Sequence, residues 1–426
     1  MGFCSCLFSF QAGAQRYLAD YDSTLFIRDT VRPLVSRYQN LAISGYMQPQ
    51  FQLAQKEGEA TFEGGNFAPA SKSRFMLRRA RIKVDYLLPV KDKSIPKALF
   101  TFQIDATERG VIVRDMFLRL YAPKKQNFSL TTGLFARPFG YEVNLSSGYR
   151  ETPERGRMSQ VLMPGERDMG AMVSFESQSP RRKNPTFRFD LGMFNGVGPT
   201  GITDFDTYKD LISRLSLKEW TFSKNLRLSG GLSFFHGGWR QESQYRYSVN
   251  NVNGVQSFAV DSSLSNMGRK APRRYYGADV QLALLHPRGK TEWRAEYWRG
   301  TQSGTASTTV SPAAQPSGAT YVRPFDGAFF YFLQTLWSPN WELMLKYDWY
   351  DPNRLVAATE IGKSGTNFTQ ADIRYSTLGV GLTRYFSGNL KLLAYYDLVR
   401  NEKTLLAGFE DDVPDNVFTF RMQLRF

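Results

Sequence analysis

Cysteine, histidine and long apolar runs are all scarce in this chain. Its 426 residues include two cysteines, Cys4 and Cys6, and two histidines, His236 and His286. A Cys/His metal cluster cannot be built from these. A Ser/His/Asp set would have to use one of two histidines that sit in no nucleophile context such as G-x-S-x-G. No stretch approaches the ~18 to 20 uninterrupted apolar residues of a spanning helix, which excludes a helical membrane protein and leaves a membrane-spanning barrel open. Low-complexity polar runs are missing too, so the chain is not disordered. No catalytic residue, metal or cofactor is expected.

What is present is basic and aromatic. Lys and Arg outnumber Asp and Glu by 54 to 39, and 15% of residues are aromatic. The basic residues are spread over every segment with no nucleic-acid motif, so nucleic-acid binding is not expected. Residues 1–14 carry a short apolar core that ends in Ala12-Gly13-Ala14, which fits a cleaved secretory signal without its basic start. Cleavage after Ala14 would leave no cysteine, which suits an oxidising compartment. Residues 15–40 form a lead-in in which Asp22-Ser23-Thr24 would cap a short helix interrupted by Pro33.

From 41 to 426 one unit recurs, a segment of about ten residues with apolar residues at alternate positions, closed by a turn signal. Phe418, Phe420, Met422, Leu424 and Phe426 alternate with Thr419, Arg421, Gln423 and Arg425, so one face suits hydrocarbon and the other water. Sixteen such segments predict an all-β fold, a closed antiparallel transmembrane barrel. Connection lengths supply a separate check. Even-numbered connections such as Pro339-Asn340 and Ser387-Gly388 are short, whereas odd ones such as 55–72, 138–167 and 237–273 are long. Long outer loops and short periplasmic turns give that asymmetry. Aromatic groups at segment ends (Trp293, Tyr297 and Trp298; Trp337, Trp341, Trp349 and Tyr350) read as interfacial girdles.

Strand parity puts a modest excess of cations on the water-facing side, among them Arg79, Arg81, Lys83, Arg119 and Arg137. The first three recur at intervals of two and form a ladder on which an anion would step, unless acids such as Asp85 neutralise it. The long connection 138–167 adds Arg150, Arg155, Arg157 and Arg167 beside Glu142, Glu151, Glu154 and Glu166. Guanidinium groups suit oxyanions because they offer planar paired donors and hold their charge. The enzyme reading, a membrane-bound hydrolase, would rest on Ser233 and His236 as its pair.

Several patches together resemble the phosphate-selective porin O and P family of Gram-negative outer membranes. They are Ser44-Gly45-Tyr46, RRARI at 78–82, GLFARPFGYE at 133–142, GERDMG at 165–170, FNGVG at 194–198 followed by Lys209-Asp210, and Ala295-Glu296-Tyr297. The resemblance spans about 41–426 and implies an outer-membrane channel for small anionic or polar solutes, surrounded by lipid, with a homotrimer as its assembly. It implies that the third outer loop folds inward as a constriction carrying Arg150, Arg155, Arg157 and Arg167. Phe426 is similar to the terminal aromatic that the outer-membrane assembly machinery reads. The function expected is passive diffusion with preference for phosphate-like oxyanions. The alternative is a general or oligosaccharide-conducting porin, in which Tyr245, Tyr247 and Tyr321 would stack on sugar rings.

Overall fold

The computed structural model describes residues 40–426 except 91–92, 124–126, 178–184, 202 and 253. The expected signal segment 1–14 and the expected lead-in up to residue 39 lie outside the described residues. Among the described residues the strands are β1 (Leu41–Ala54), β2 (Ser73–Val90), β3 (Lys93–Thr107), β4 (Gly110–Tyr121), β5 (Phe128–Ala136) and β6 (Arg167–Glu176). Next come β7 (Phe187–Phe194), β8 (Asp210–Thr221), β9 (Leu226–Arg240), β10 (Arg246–Val252), β11 (Val255–Asp261) and β12 (Lys270–His286). The last six are β13 (Gly289–Gly304), β14 (Thr320–Thr335), β15 (Trp341–Asp351), β16 (Tyr375–Tyr385), β17 (Leu390–Asn401) and β18 (Val417–Arg425).

Antiparallel pairing runs from each wall strand to the next, β9 pairs with β12, and β18 returns to β1. Sixteen strands therefore close the barrel, while β10 and β11 form a hairpin outside it. β7 shows why this sequence closes. Phe187, Phe189, Leu191 and Met193 are exposed, and Arg188, Asp190, Gly192 and Phe194 alternate with them and are buried. The exposed set repeats around the wall as Ile82, Val173, Leu215, Val280, Phe330 and Leu378. Such a continuous apolar belt on a closed barrel faces hydrocarbon, and a cation near its midplane would cost about 2–4 kcal/mol.

The sixteen expected segments match the wall strands to within six residues at their ends, the largest difference being the start of β14 at Thr320 rather than 326. The differences are local. The connection 237–273, read as one loop, contains the β10–β11 hairpin, which also pairs in parallel with the start of β14. The alternation in β2 breaks between Met76 and Ala80, where the register against β1 slips by one residue at Arg78 and Arg79. A second slip, between Gln103 and Ile104 of β3, leaves Arg114 as the extra residue of β4. Each bulge turns two consecutive residues toward the lumen. Trp298 and Tyr350 are not girdle residues. They lie on the inner face, fully buried, while Trp293, Tyr297 and Trp337 stay exposed as expected.

Candidate functional site: an inward loop across the lumen

The third outer loop, residues 137–166, folds into the barrel, and its root explains why. Arg137 donates from Nη2 to the Pro164 carbonyl at 3.1 Å and from Nε to that of Glu166 at 3.4 Å, tying the two ends of the loop together. Phe139 then wedges into the inner wall, edge-on to Trp298 with ring centroids 4.7 Å apart and near Tyr275 and Phe235. Gly140 follows with φ +69°. A Cβ there would run into the Glu296 carboxylate and come within 2.7 Å of the Trp298 ring, so only glycine allows this approach.

Glu296 of β13 is the anchor. Its carboxylate accepts the backbone N–H groups of Tyr141 at 2.8 Å and Glu142 at 2.9 Å, and Trp298 Nε1 at 2.6 Å. Glu142 in turn caps the short helix α1 (Arg157–Leu162), accepting from the Gly156 N–H at 3.0 Å, Ser159 Oγ at 2.5 Å and the Tyr331 hydroxyl at 2.7 Å. Asp168 accepts the Gly196 N–H at 2.7 Å. The separated sequence patches around 137–142, 165–170, 194–198 and 295–297 thus meet at one place, where they hold the loop inward.

From that root the loop crosses to the opposite wall. Glu151 takes a paired bond from Arg294 of β13, at 2.8 and 2.9 Å. Lys391 of β17 donates to the Arg150 carbonyl at 3.0 Å, and the Tyr46 hydroxyl of β1 meets Ser147 Oγ at 2.6 Å. Glu154 ends the crossing among three guanidiniums: Arg78 at 2.8 Å, Arg79 at 2.6 Å and Arg421 of β18 at 3.2 Å. Burial raises the Glu154 pKa, but those three cations overcome it and hold the group well below the usual carboxylate range. Arg150 lies in the same group. It is buried, with Nε and Nη1 making no hydrogen bond. Burial and the neighbouring Arg79 lower its pKa, but a guanidinium stays charged.

The expected ladder on β2 has a different electrostatic character. Arg79 shares Glu154, Arg81 pairs with Asp105 at 2.8 Å, and Lys83 pairs with Asp85 at 2.8 Å. Its two inner rungs are neutralised within the wall. Arg119 faces the lumen and donates to Thr131 at 2.9 Å. In the loop, Arg155 pairs with Glu166 at 3.0 Å, and Arg167 bridges Asp115 at 3.0 Å and Glu166 at 2.7 Å. Arg157 lies over the Tyr375 ring at 3.5 Å, with Asp415 at 3.8 Å. The lumenal cations Arg78 and Arg114 escape a parity reading because both sit at bulges. Arg273 and Arg323 escape it because β12 and β14 begin before their apolar cores.

One other reading is corrected. Ser233 faces inward, bonded to the Gly140 N–H at 3.0 Å and Arg214 at 2.8 Å, whereas His236 points to the outer face beside Phe234. Three residues apart on a strand, they lie on opposite faces and form no catalytic pair. Tyr247 and Tyr321 stack on each other, centroids 4.5 Å apart and planes at 7°. Those rings pack into the outer-loop core with Phe258 and Phe368, whereas Tyr245 is exposed. Phe426 pairs its backbone with Gly45 in both directions at 3.0 Å, and its ring covers that glycine.

No protein-family model matches the chain, and no curated relative does. Solved structures do. OmpF of Salmonella typhi, solved with daunomycin, is 10% identical over 92% of this chain and 99% of its own, with a TM-score of 0.52. An anion-selective porin from Comamonas acidovorans is 10% identical over 90% and 98%, with a TM-score of 0.51. The outer membrane channel DcaP of Acinetobacter baumannii is 13% identical over 91% and 97%, also at 0.51. With the apolar belt and the inward loop, these likenesses establish the class of the fold, a transmembrane β-barrel of the porin type.

Proposed function

We propose that the chain is a passive diffusion channel of a Gram-negative outer membrane with a preference for small oxyanions, in line with its resemblance to the phosphate-selective porin O and P family. The observation that supports this reading is the set of four guanidiniums, Arg78, Arg79, Arg150 and Arg421, gathered around the single carboxylate of Glu154. Three of them share that carboxylate, and the buried Nε and Nη1 of Arg150 make no hydrogen bond. A planar donor pair in a water-poor passage suits a phosphate-like anion, which it attracts without the trap of a closed site. Arg81, Lys83, Arg119, Arg137, Arg155, Arg157 and Arg167 then shape and stiffen the passage rather than supply its net field. Assembly as a homotrimer and recognition of Phe426 by the outer-membrane assembly machinery belong to the same reading.

Reversal potential in a salt gradient across a planar bilayer tests it. The wild-type channel passes anions in preference to cations, and Arg150→Gln lowers that ratio about two- to fivefold, as expected for one partly screened charge. A wild-type preference for cations would hand the barrel to the general-porin alternative.

A further inference from the structure

On the outer face of the wall, β9, β12 and β13 carry a cluster of cations that no channel function uses. Arg274 and Arg299 are exposed and belong to the same face as the lipid-facing Tyr276, Val280, Trp293 and Tyr297. Arg274 stands opposite Thr301, and Arg299 stands opposite Tyr276, which makes the two arginines diagonal neighbours. Lys270 lies four residues further out on β12, opposite Arg240. All four sit at the outer ends of their strands, above the apolar belt.

Carboxylates balance them only in part. Arg240 pairs with Glu242 at 3.2 Å, and Asp326, which stands opposite Arg299 on β14, accepts the Tyr297 hydroxyl at 3.2 Å. Among the described residues, neither Arg274 nor Arg299 makes an ion pair. Directly below, the same wall holds an apolar concavity of about 490 Å³ between Val280, Trp293, Phe330, Leu345 and Tyr347, floored by Ala295. Arg299 is four residues above Ala295 on β13, about 13 Å along the strand. Cations at the headgroup level over an apolar groove have the dimensions of a lipid.

We propose that this wall holds one lipid of the outer leaflet, its phosphate groups gripped by Arg274 and Arg299 with Lys270 in reach, and an acyl chain in the groove at Ala295. The ligand is a phosphorylated lipid rather than free phosphate, because the groove lies in the hydrocarbon belt one acyl-chain segment below the cations. The inference rests on the orientation of the barrel and not on which solute crosses it.

Mass spectrometry of the folded full-length barrel, released from micelles doped with bisphosphorylated lipid A, reads the bound lipid. Arg274→Gln with Arg299→Gln lowers retention roughly thirtyfold, as expected for two cations at a membrane surface, while Arg274→Lys with Arg299→Lys keeps most of it. Ala295→Phe, which fills the groove, also lowers retention and leaves the cations in place. Excess inorganic phosphate does not displace the lipid. Conductance and reversal potential stay at wild-type values in all three variants, so failure here is distinguishable from failure of the channel reading. Equal retention of the dephosphorylated glycolipid, unchanged retention in the Gln pair, or displacement by phosphate would overturn the proposal. Loss of an oligomer in the Ala295→Phe variant would do the same, by assigning the wall to a second copy of the chain.

Discussion

Arg421 Nη2 and Glu154 Oε1 meet at 3.2 Å although 267 residues separate them, and through this contact the last wall strand holds the far end of the inward loop. Arg421 Nη1 also donates to the Pro153 carbonyl at 2.8 Å, so the strand grips the loop by side chain and backbone together.

Glu154→Gln removes the one charge that the surrounding guanidiniums share. The anion-to-cation permeability ratio rises about two- to fivefold, opposite in sign to Arg150→Gln. Bilayer reversal potentials check it, and a shift toward cations would mean that the cluster does not face the conducting path.

Gly140→Ala tests what keeps the loop inward. The new methyl group collides with the Glu296 carboxylate at a backbone φ of +69°. The loop root must move, at a cost of about 1–3 kcal/mol. The barrel still folds, shown by its heat-modifiable gel mobility, but single-channel conductance rises.

Gly45→Leu acts at the closure of the wall. A side chain at 45 would meet the Phe426 ring at 2.5 Å and the backbone of β2, so the pairing of Gly45 with Phe426 is pushed apart. Folded yield in the outer membrane drops, while Phe426→Ala, which leaves room, lowers it only through loss of the terminal aromatic. Equal yields for Gly45→Leu and wild type would show that this junction tolerates separation.

Asp415 lies in the outer loop that precedes β18, where burial pushes its carboxyl up to about 6 against the opposing pull of Arg157. An unfolded aspartate titrates near ~3.9. The folded state therefore binds the proton more tightly, and its contribution to stability is full below about pH 4 and lost as pH rises through about 6. Asp415→Asn abolishes that component. Urea unfolding in micelles at several pH values between these limits should show wild type losing stability relative to the variant as pH rises.

The wall is legible in the sequence because a barrel strand has two different solvents on its two faces. β1 begins and ends at 41 and 54 as its alternation says, and β18 reads as a clean two-residue period. Bulges break that rule without a compositional mark, and so Arg78 and Arg114 are missed. The hairpin of β10 and β11 did carry a signal, Asn253-Gly254 between alternating residues, but its strands are only seven residues long and so read as loop. Ser233 and His236 are separable by strand period alone. Lys83 and Asp85 share one face of one strand, so their pairing is legible in the sequence, whereas that of Arg81 with Asp105 depends on register, which one strand does not reveal.

The return of β18 to β1 ties synthesis order to integrity. Until residues 417–425 arrive, the open face of β1 and the open face of β17 both present unpaired backbone groups, and neither finds a partner in hydrocarbon. A copy cut short by even its final strand is then not a slightly weaker channel but an unsealed sheet.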